Sequence, residues 1–158
     1  MRRLRSPGAR AVMRRLPLVG LGAIVLAGCG GGSTLSSSQL QTQATSICSL
    51  ASSRTSRIPT PSRPDGSAAF LQAGIVVLTP ELTQLRALRP PDDVSSVYTA
   101  TVSSFAQKLH DMQGAVNDLN RGDDPVSTMQ DLARKLEPLE SNENGGWQAL
   151  QLPACLNR

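Results

Sequence analysis

The amino-acid sequence predicts an all-α protein folded as an up-down four-helix bundle. Apolar residues recur at spacings of three and four along several long segments, which is the pattern of amphipathic helices. Clusters of proline and glycine separate these segments. Aromatic residues make up only 3% of the chain, so the apolar content is mainly aliphatic, as in small helical bundles. Together these observations predict short connections between antiparallel helices.

The first two helices are predicted on either side of a proline-rich connection. Helix one is expected over 36–54, where Leu40, Ala44, Ile47 and Ala51 share one face. The segment 58–66 contains three prolines and cannot be helical. The second helix is expected from Ser67 to about Leu88 along a stripe of Leu and Ile, with Pro80 inside it. The continuous apolar phase favours a kink at Pro80, whereas Thr79 as N-cap would give two shorter helices.

The third helix has the most regular pattern in the chain. It is expected to begin at Pro90-Pro91-Asp92-Asp93, with an acidic residue as N-cap, and to end at Gly122. Its spacings alternate four and three without a break, which predicts a seam in which Phe105 and Leu109 are deeply buried. The seam consists of Tyr98, Val102, Phe105, Leu109, Met112, Val116 and Leu119.

The fourth helix is predicted to follow Asp123-Asp124-Pro125. Its expected buried side consists of Val126, Met129, Leu132, Leu136 and Leu139. Pro138 and Gly145-Gly146 predict an irregular end to this helix. A last turn over 147–152 would then return Cys155 toward the first helix.

The N-terminal segment has the organisation of an export signal. The basic pair Arg14-Arg15 precedes an apolar run over 16–28 that ends in the small residues Ala27 and Gly28. Thirteen residues are too few to span a bilayer, which takes roughly 20. Met13 begins a complete signal by itself and is an alternative start to Met1.

Leu26-Ala27-Gly28-Cys29 resembles the lipobox of bacterial lipoproteins. The resemblance implies cleavage between Gly28 and Cys29, a diacylglyceryl group on the Cys29 sulfur, often with acylation of the freed amine, and attachment to the outer face of the cell membrane. We therefore expect a signal peptide over 1–28, a lipidated cysteine with a Gly/Ser-rich tether over 29–38, and a helical domain over 39–158. These 130 residues after cleavage suffice for one domain and not for two.

The charge of the chain depends on this cleavage. The full sequence carries a net charge of +4, but six of its sixteen basic residues precede Cys29 and all twelve acidic residues follow it. The mature chain would carry ten basic and twelve acidic residues, and it contains no basic run. Nucleic acid is therefore not an expected partner.

Lipidation of Cys29 would leave two cysteines, Cys48 and Cys155, near the two ends of the domain. An even number of thiols in an exported protein predicts a disulfide between them. The alternative, a pair of metal ligands, lacks a CxxC spacing and a neighbouring histidine.

Few residues have the types and spacings required for catalysis. His110, the only histidine, lies one position past the seam of the third helix and is expected to be structural. The pairs Asp92-Asp93 and Asp123-Asp124 stand where helices begin, so capping explains them. Arg121-Gly122-Asp123 spells an adhesion tripeptide, but a helix end produces the same residues. A solvated acidic face explains Glu137, Glu140 and Glu143 better than a shared cation.

A second resemblance concerns the domain. The run Leu85-Arg86-Ala87-Leu88-Arg89-Pro90-Pro91, followed by a helix bearing Tyr98, with a cysteine near each end of the domain, is similar to uncharacterised small helical lipoproteins of high-GC Gram-positive bacteria. That group implies no activity, and we expect no cofactor. We therefore expect a non-catalytic envelope module that binds a protein, a wall polymer or a small apolar ligand. The alternative is a surface enzyme, or a subunit of one, that uses carboxylates on envelope glycans.

Overall fold

The structure, a computed structural model, describes residues 33–156, and these form four α-helices. The helices are α1 (Ser37–Thr55), α2 (Ser67–Ala87), α3 (Asp92–Asn120) and α4 (Pro125–Ala149). Short 3-10 turns occupy Pro64–Gly66 and Pro153–Cys155, and the described residues contain no strand. The predicted four-helix bundle is confirmed. The predicted signal peptide and Cys29 lie outside the described residues.

The helix starts follow from local hydrogen bonding. Ser36 caps α1 in a capping box with Gln39, in which each side chain bonds the backbone N–H of the other. Asp124 caps α4 by accepting from the Ser127 N–H, ahead of a proline at the first helical position. The acidic cap predicted for α3 is wrong. Pro91 is its N-cap, and Asp92 and Asp93 lie in the first turn, where their charge still suits the helix dipole.

Helices α3 and α4 both end in Schellman motifs. At the end of α3 the N–H of Gly122 bonds the Leu119 carbonyl and the N–H of Asp123 bonds the Asp118 carbonyl. Gly122 has a φ of 97°, which glycine adopts without steric cost, so the predicted stop is confirmed. Gln151 takes the equivalent left-handed position after α4, with a φ of 56°.

Both internal prolines lie within continuous helices. Pro80 is inside α2 and Pro138 is inside α4, so the alternative of two shorter helices at Pro80 is excluded. The irregular end predicted for α4 is also wrong, because this helix passes Gly145-Gly146 and continues to Ala149. Both prolines are exposed, as are Val76 and Arg134, the residues four positions earlier. The backbone carbonyls that lose their helical partners there are on the solvent side, where they are open to hydration.

One hydrophobic core joins the four helices. Within the α3 seam, Phe105 is fully buried and Leu109 is buried, as predicted. The core also includes Trp147 and Leu152 from the C-terminal part of the chain. Helix α3 packs on both α2 and α4, and α1 packs on α2. Pro64–Ala87, which includes α2, is long and apolar enough to cross a membrane by length and composition alone.

The C-terminal segment joins α1 to α4. The predicted disulfide between Cys48 and Cys155 is confirmed, with a Cα–Cα separation of 5.1 Å. Both cysteines are fully buried, and the Gln41 side chain on α1 donates a hydrogen bond to Gln151. The disulfide and the tail therefore close the side of the bundle where α1 and α4 have few direct contacts.

The up-down topology gives the bundle two distinct ends. At the entry end the N–H of Leu35 bonds the Arg89 carbonyl, and Ser37 lies near Val94 and Leu150. At the far end the α1–α2 connection, 56–66, lies beside the start of α4. The folded unit includes Leu35, which also packs against the core. Helix α4, with 25 residues, spans about 37 Å between the two ends.

Candidate functional site

The most unusual chemistry in the described residues is a buried ion pair between α3 and α4. Lys108 Nζ lies 2.8 Å from Glu143 Oε2, and both side chains are 3% exposed. The Trp147 indole N–H donates to Glu143 Oε1 at 3.1 Å. Lys108 Nζ is also 5.4 Å from the centre of the Phe105 ring, which adds a cation–π contact. The pair thus has hydrogen-bonding and aromatic partners within the core.

A further aromatic residue, Tyr98, packs against Trp147. The Tyr98 and Trp147 ring centres are 6.0 Å apart with an interplanar angle of 74°, an edge-to-face contact. The Tyr98 hydroxyl donates to the Leu85 carbonyl of α2 at 2.7 Å. Burial raises the pKa of Tyr98 well above its ordinary value, because the phenolate would lose its hydration. Tyr98 therefore links α2, α3 and α4.

Helices α3 and α4 approach closely at Gly146. A Cβ atom built there would overlap Thr101 Oγ1 and lie 2.9 Å from Thr101 Cβ. A side chain at this position would therefore force the helices apart. Because the Lys108–Glu143 pair and Thr101 are buried, these contacts fix the register of α3 and α4 rather than meet a ligand from solution.

The first surface hollow lies between α3 and α4 at the far end. It has a volume of about 360 Å³ and is lined mainly by polar side chains. Five aspartates contribute to its wall, namely Asp111, Asp118, Asp123, Asp124 and Asp131. No aromatic side chain lines it, and Lys135 is its basic residue. This hollow is where the carboxylates of the described residues gather most densely.

Several of these aspartates already have local roles. Asp118 pairs with Arg121, and Asp131 pairs with Arg134. The hydrogen bonds from Ser127, first from its backbone N–H, lower the pKa of Asp124. Across residues 33–156, no group of three His, Cys, Asp or Glu side chains converges as a metal site. Helix capping and surface ion pairs therefore account for these aspartates. Within the described residues the hollow does not assemble a metal centre.

The second surface hollow is an apolar groove on the opposite side of α4. Its volume is about 480 Å³, and it lies where the α1–α2 connection meets the first turns of α4. Val126, which was predicted to be buried, is 51% exposed. The prediction is wrong because α4 turns Val126 toward this groove instead of the core. The apolar lining consists of Pro61, Pro64, Pro125, Val126, Met129 and Ala133.

Other predicted site residues are dispersed. His110 is exposed, as expected for a structural histidine beside the seam. Glu137 and Glu140 are exposed, but the solvated face predicted to include Glu143 is wrong, since Glu143 is buried against Lys108. Arg121 caps α3 and Gly122 adopts the left-handed conformation, so the tripeptide is explained by the end of that helix.

The sequence contained a usable signal for the buried pair. Glu143 precedes Trp147 by one helical turn and continues the spacing of Leu132, Leu136 and Leu139. Lys108 follows Phe105 by three positions on the α3 seam. Extending both apolar seams through charged residues would have placed these two side chains in the core.

No protein-family model, curated protein sequence or solved structure matches the chain.

Proposed function

We propose that this protein is a lipid-anchored, non-catalytic module of the cell envelope that binds a partner at the far end of its bundle. The observation that carries the proposal is the separation of the two ends. The chain enters the bundle at Leu35, whereas the acidic hollow and the apolar groove both lie at the other end of α4. A lipid on Cys29 would therefore hold the entry end near the bilayer and direct both hollows outward.

The interior of the bundle supports a binding role over a catalytic one. The Lys108–Glu143 ion pair is closed to solvent, and Glu143 accepts a hydrogen bond from the Trp147 indole N–H. A substrate from solution does not reach these groups, so they have the geometry of a structural element. Surface recognition then depends on the two hollows.

The alternative function is carboxylate chemistry on envelope glycans in the acidic hollow. The five aspartates of its wall favour this alternative. Glycan sites commonly stack sugar rings on aromatic side chains, and the lining has none. Release of soluble sugars from purified cell wall by the full chain, lost in Asp124→Asn or Asp131→Asn variants that still fold, would support the enzyme and contradict the binding module.

Membrane fractionation of the full-length protein in a bacterial host that processes lipoproteins tests the anchor. We expect the wild type to partition with membranes and its N-terminal peptide to carry the mass of a diacylglyceryl group on Cys29. A Cys29→Ser variant should appear in the soluble fraction or accumulate as precursor. The matched control is Cys48→Ser with Cys155→Ser, which also removes cysteines but should remain in membranes. An unmodified Cys29 in the mature wild-type chain would contradict the proposal.

A further inference from the structure

The apolar groove has its floor on α4 and one wall on the α1–α2 connection. Val126 and Ala133 are two turns apart on the same side of α4, and Pro61 and Pro64 face them from the connection. These side chains come from segments about 60 residues apart in the sequence, so the folded bundle builds the groove. An apolar hollow of this kind loses ordered water when apolar side chains enter it.

Acidic residues stand at both ends of this groove. Asp123 and Asp124 precede its first residue, Pro125; both are exposed, and both also line the acidic hollow. Glu137 and Glu140 follow Ala133 at spacings of four and three, on the same side of α4, and are exposed. The distance along α4 from Val126 to Glu140 is about 21 Å. The apolar lining from Val126 to Ala133 is therefore about two helical turns long, and acidic residues lie beyond each end of it.

The excess of acidic residues extends beyond the groove to the whole of residues 111–140. Residues 111–140 contain seven acidic and three basic side chains, whereas residues 33–110 contain four acidic and six basic ones. The basic side chain on the groove wall, Arg63, is paired with Asp65 at 2.7 Å. The negative potential at the groove thus attracts cationic partners and repels anionic ones.

From this complementarity we propose that the groove docks a basic amphipathic helical segment of another envelope protein. The inference rests on the proposed binding function and names the class of its partner. Apolar side chains of the segment enter between Val126 and the prolines of the connection, and Lys or Arg residues at its two ends face the acidic pairs. Two copies of this chain meeting groove to groove would oppose acid with acid, and an anionic lipid surface would be repelled in the same way.

A synthetic peptide provides the probe. It is a labelled helix of about 14 residues, matched to the distance from Val126 to Glu140, with leucines at helical spacing and lysines at both ends. The full-length protein is held in phosphatidylcholine nanodiscs, and empty nanodiscs measure binding to lipid. Fluorescence anisotropy should show binding to the protein that weakens as salt is raised. A peptide with Glu in place of each Lys should bind at least about tenfold more weakly.

Surface variants locate the binding. Val126→Lys should weaken binding of the lysine peptide by about tenfold or more, because the substitution places a positive charge in the groove that repels the peptide. Val76→Lys on α2 is the matched control, since Val76 is 63% exposed and outside the groove lining. Ala133→Lys gives a second test within the groove, and circular dichroism establishes that each variant is folded.

The charge contribution has its own pair of variants. Glu137→Gln with Glu140→Gln should weaken binding by a few-fold and reduce its salt dependence. Asp92→Asn with Asp93→Asn, at the entry end, removes the same charge from exposed residues and should leave binding unchanged.

Several results would overturn the docking proposal. They are equal binding by the two peptides, binding unaffected by both Val126→Lys and Ala133→Lys, and equal losses from Val126→Lys and Val76→Lys. Sedimentation showing a dimer of the full chain that Val126→Lys dissociates would assign the groove to a second copy and also contradict it. Binding retained by the Cys29→Ser protein would support docking even if the anchor proposal failed, so the two failures are distinguishable.

Discussion

Helix α4 is held on its two sides by different means. On the α3 side, Gly146 allows close backbone approach and Lys108 pairs with Glu143 inside the core. On the α1 side the helices have few direct contacts, and the tail with its Cys48–Cys155 bond fills the space. The first interface depends on precise complementarity along two helices. The second depends on a covalent link and a short apolar segment, so it should tolerate changes in helix surface better.

The largest effect is expected from breaking the buried pair. Lys108→Met would leave Glu143 charged and buried without its cation, which should cost about 3 to 5 kcal/mol in the free energy of unfolding. Urea unfolding followed by circular dichroism measures this loss. Adding Glu143→Gln should restore much of it, because the amide oxygen still accepts from Trp147 Nε1. A double variant as unstable as Lys108→Met would mean that lost packing, rather than the unpaired charge, dominates.

Removing the disulfide tests the other side of α4. Cys48→Ser with Cys155→Ser opens a link between residues 107 positions apart, which should cost about 2 to 5 kcal/mol. Hydrogen exchange should accelerate first in α1 and in residues 150–156, with the α3–α4 interface still protected. The same increase in exchange across all four helices would show that the two sides of α4 are not independent.

Two adjacent glycines sharpen the comparison within α4. Gly146→Ala should destabilise the protein by about 1 to 3 kcal/mol, because its Cβ overlaps Thr101 and forces α3 and α4 apart. Gly145→Ala has open space around its Cβ and should be neutral or stabilise by up to about 1 kcal/mol through better helix propensity. Thermal unfolding of the two variants measures the difference. Equal melting temperatures would contradict the close approach of the helices.

The smallest effect concerns Tyr98, which links the α3–α4 side to α2. Tyr98→Phe removes its hydrogen bond to the Leu85 carbonyl and should cost about 0.5 to 1.5 kcal/mol near neutral pH. Burial raises the pKa of folded Tyr98 above the ordinary tyrosine pKa of 10.0. The contribution of Tyr98 to stability is therefore retained at pH values below 10.0 and declines as pH rises above it. Between about pH 8 and pH 11 the wild type should therefore lose more stability than Tyr98→Phe. Parallel losses would contradict this linkage.

The amphipathic seams made most of the helical architecture predictable. The α3 register followed directly from its regular spacing, and the two leftover cysteines predicted the disulfide. The second half of α4 was not predictable from local rules, because Pro138 and Gly145-Gly146 weaken helix formation in isolation. Tertiary packing of Trp147 and Glu143 in the core outweighs those preferences.

The candidate surfaces were harder to predict than the helices. The groove joins Pro61 and Pro64 to the start of α4, and no local pattern relates segments that far apart in the sequence. Val126 fits the helical stripe of α4 but lines this groove, on the side of α4 opposite the acidic hollow, and is 51% exposed. The interpretation of Asp123 and Asp124 as caps also gave no indication that they and three other aspartates would line one hollow.

The Lys108–Glu143 pair also has a consequence for heat resistance. Hydration of charged groups becomes less favourable as temperature rises, so the cost of keeping this pair away from water decreases on heating. In a variant with two apolar residues of similar volume at these positions, the free energy of unfolding should compare most favourably with that of the wild type at low temperature. This relative stability should fall as the temperature rises. The pair therefore acts to flatten the decline of stability toward the melting temperature.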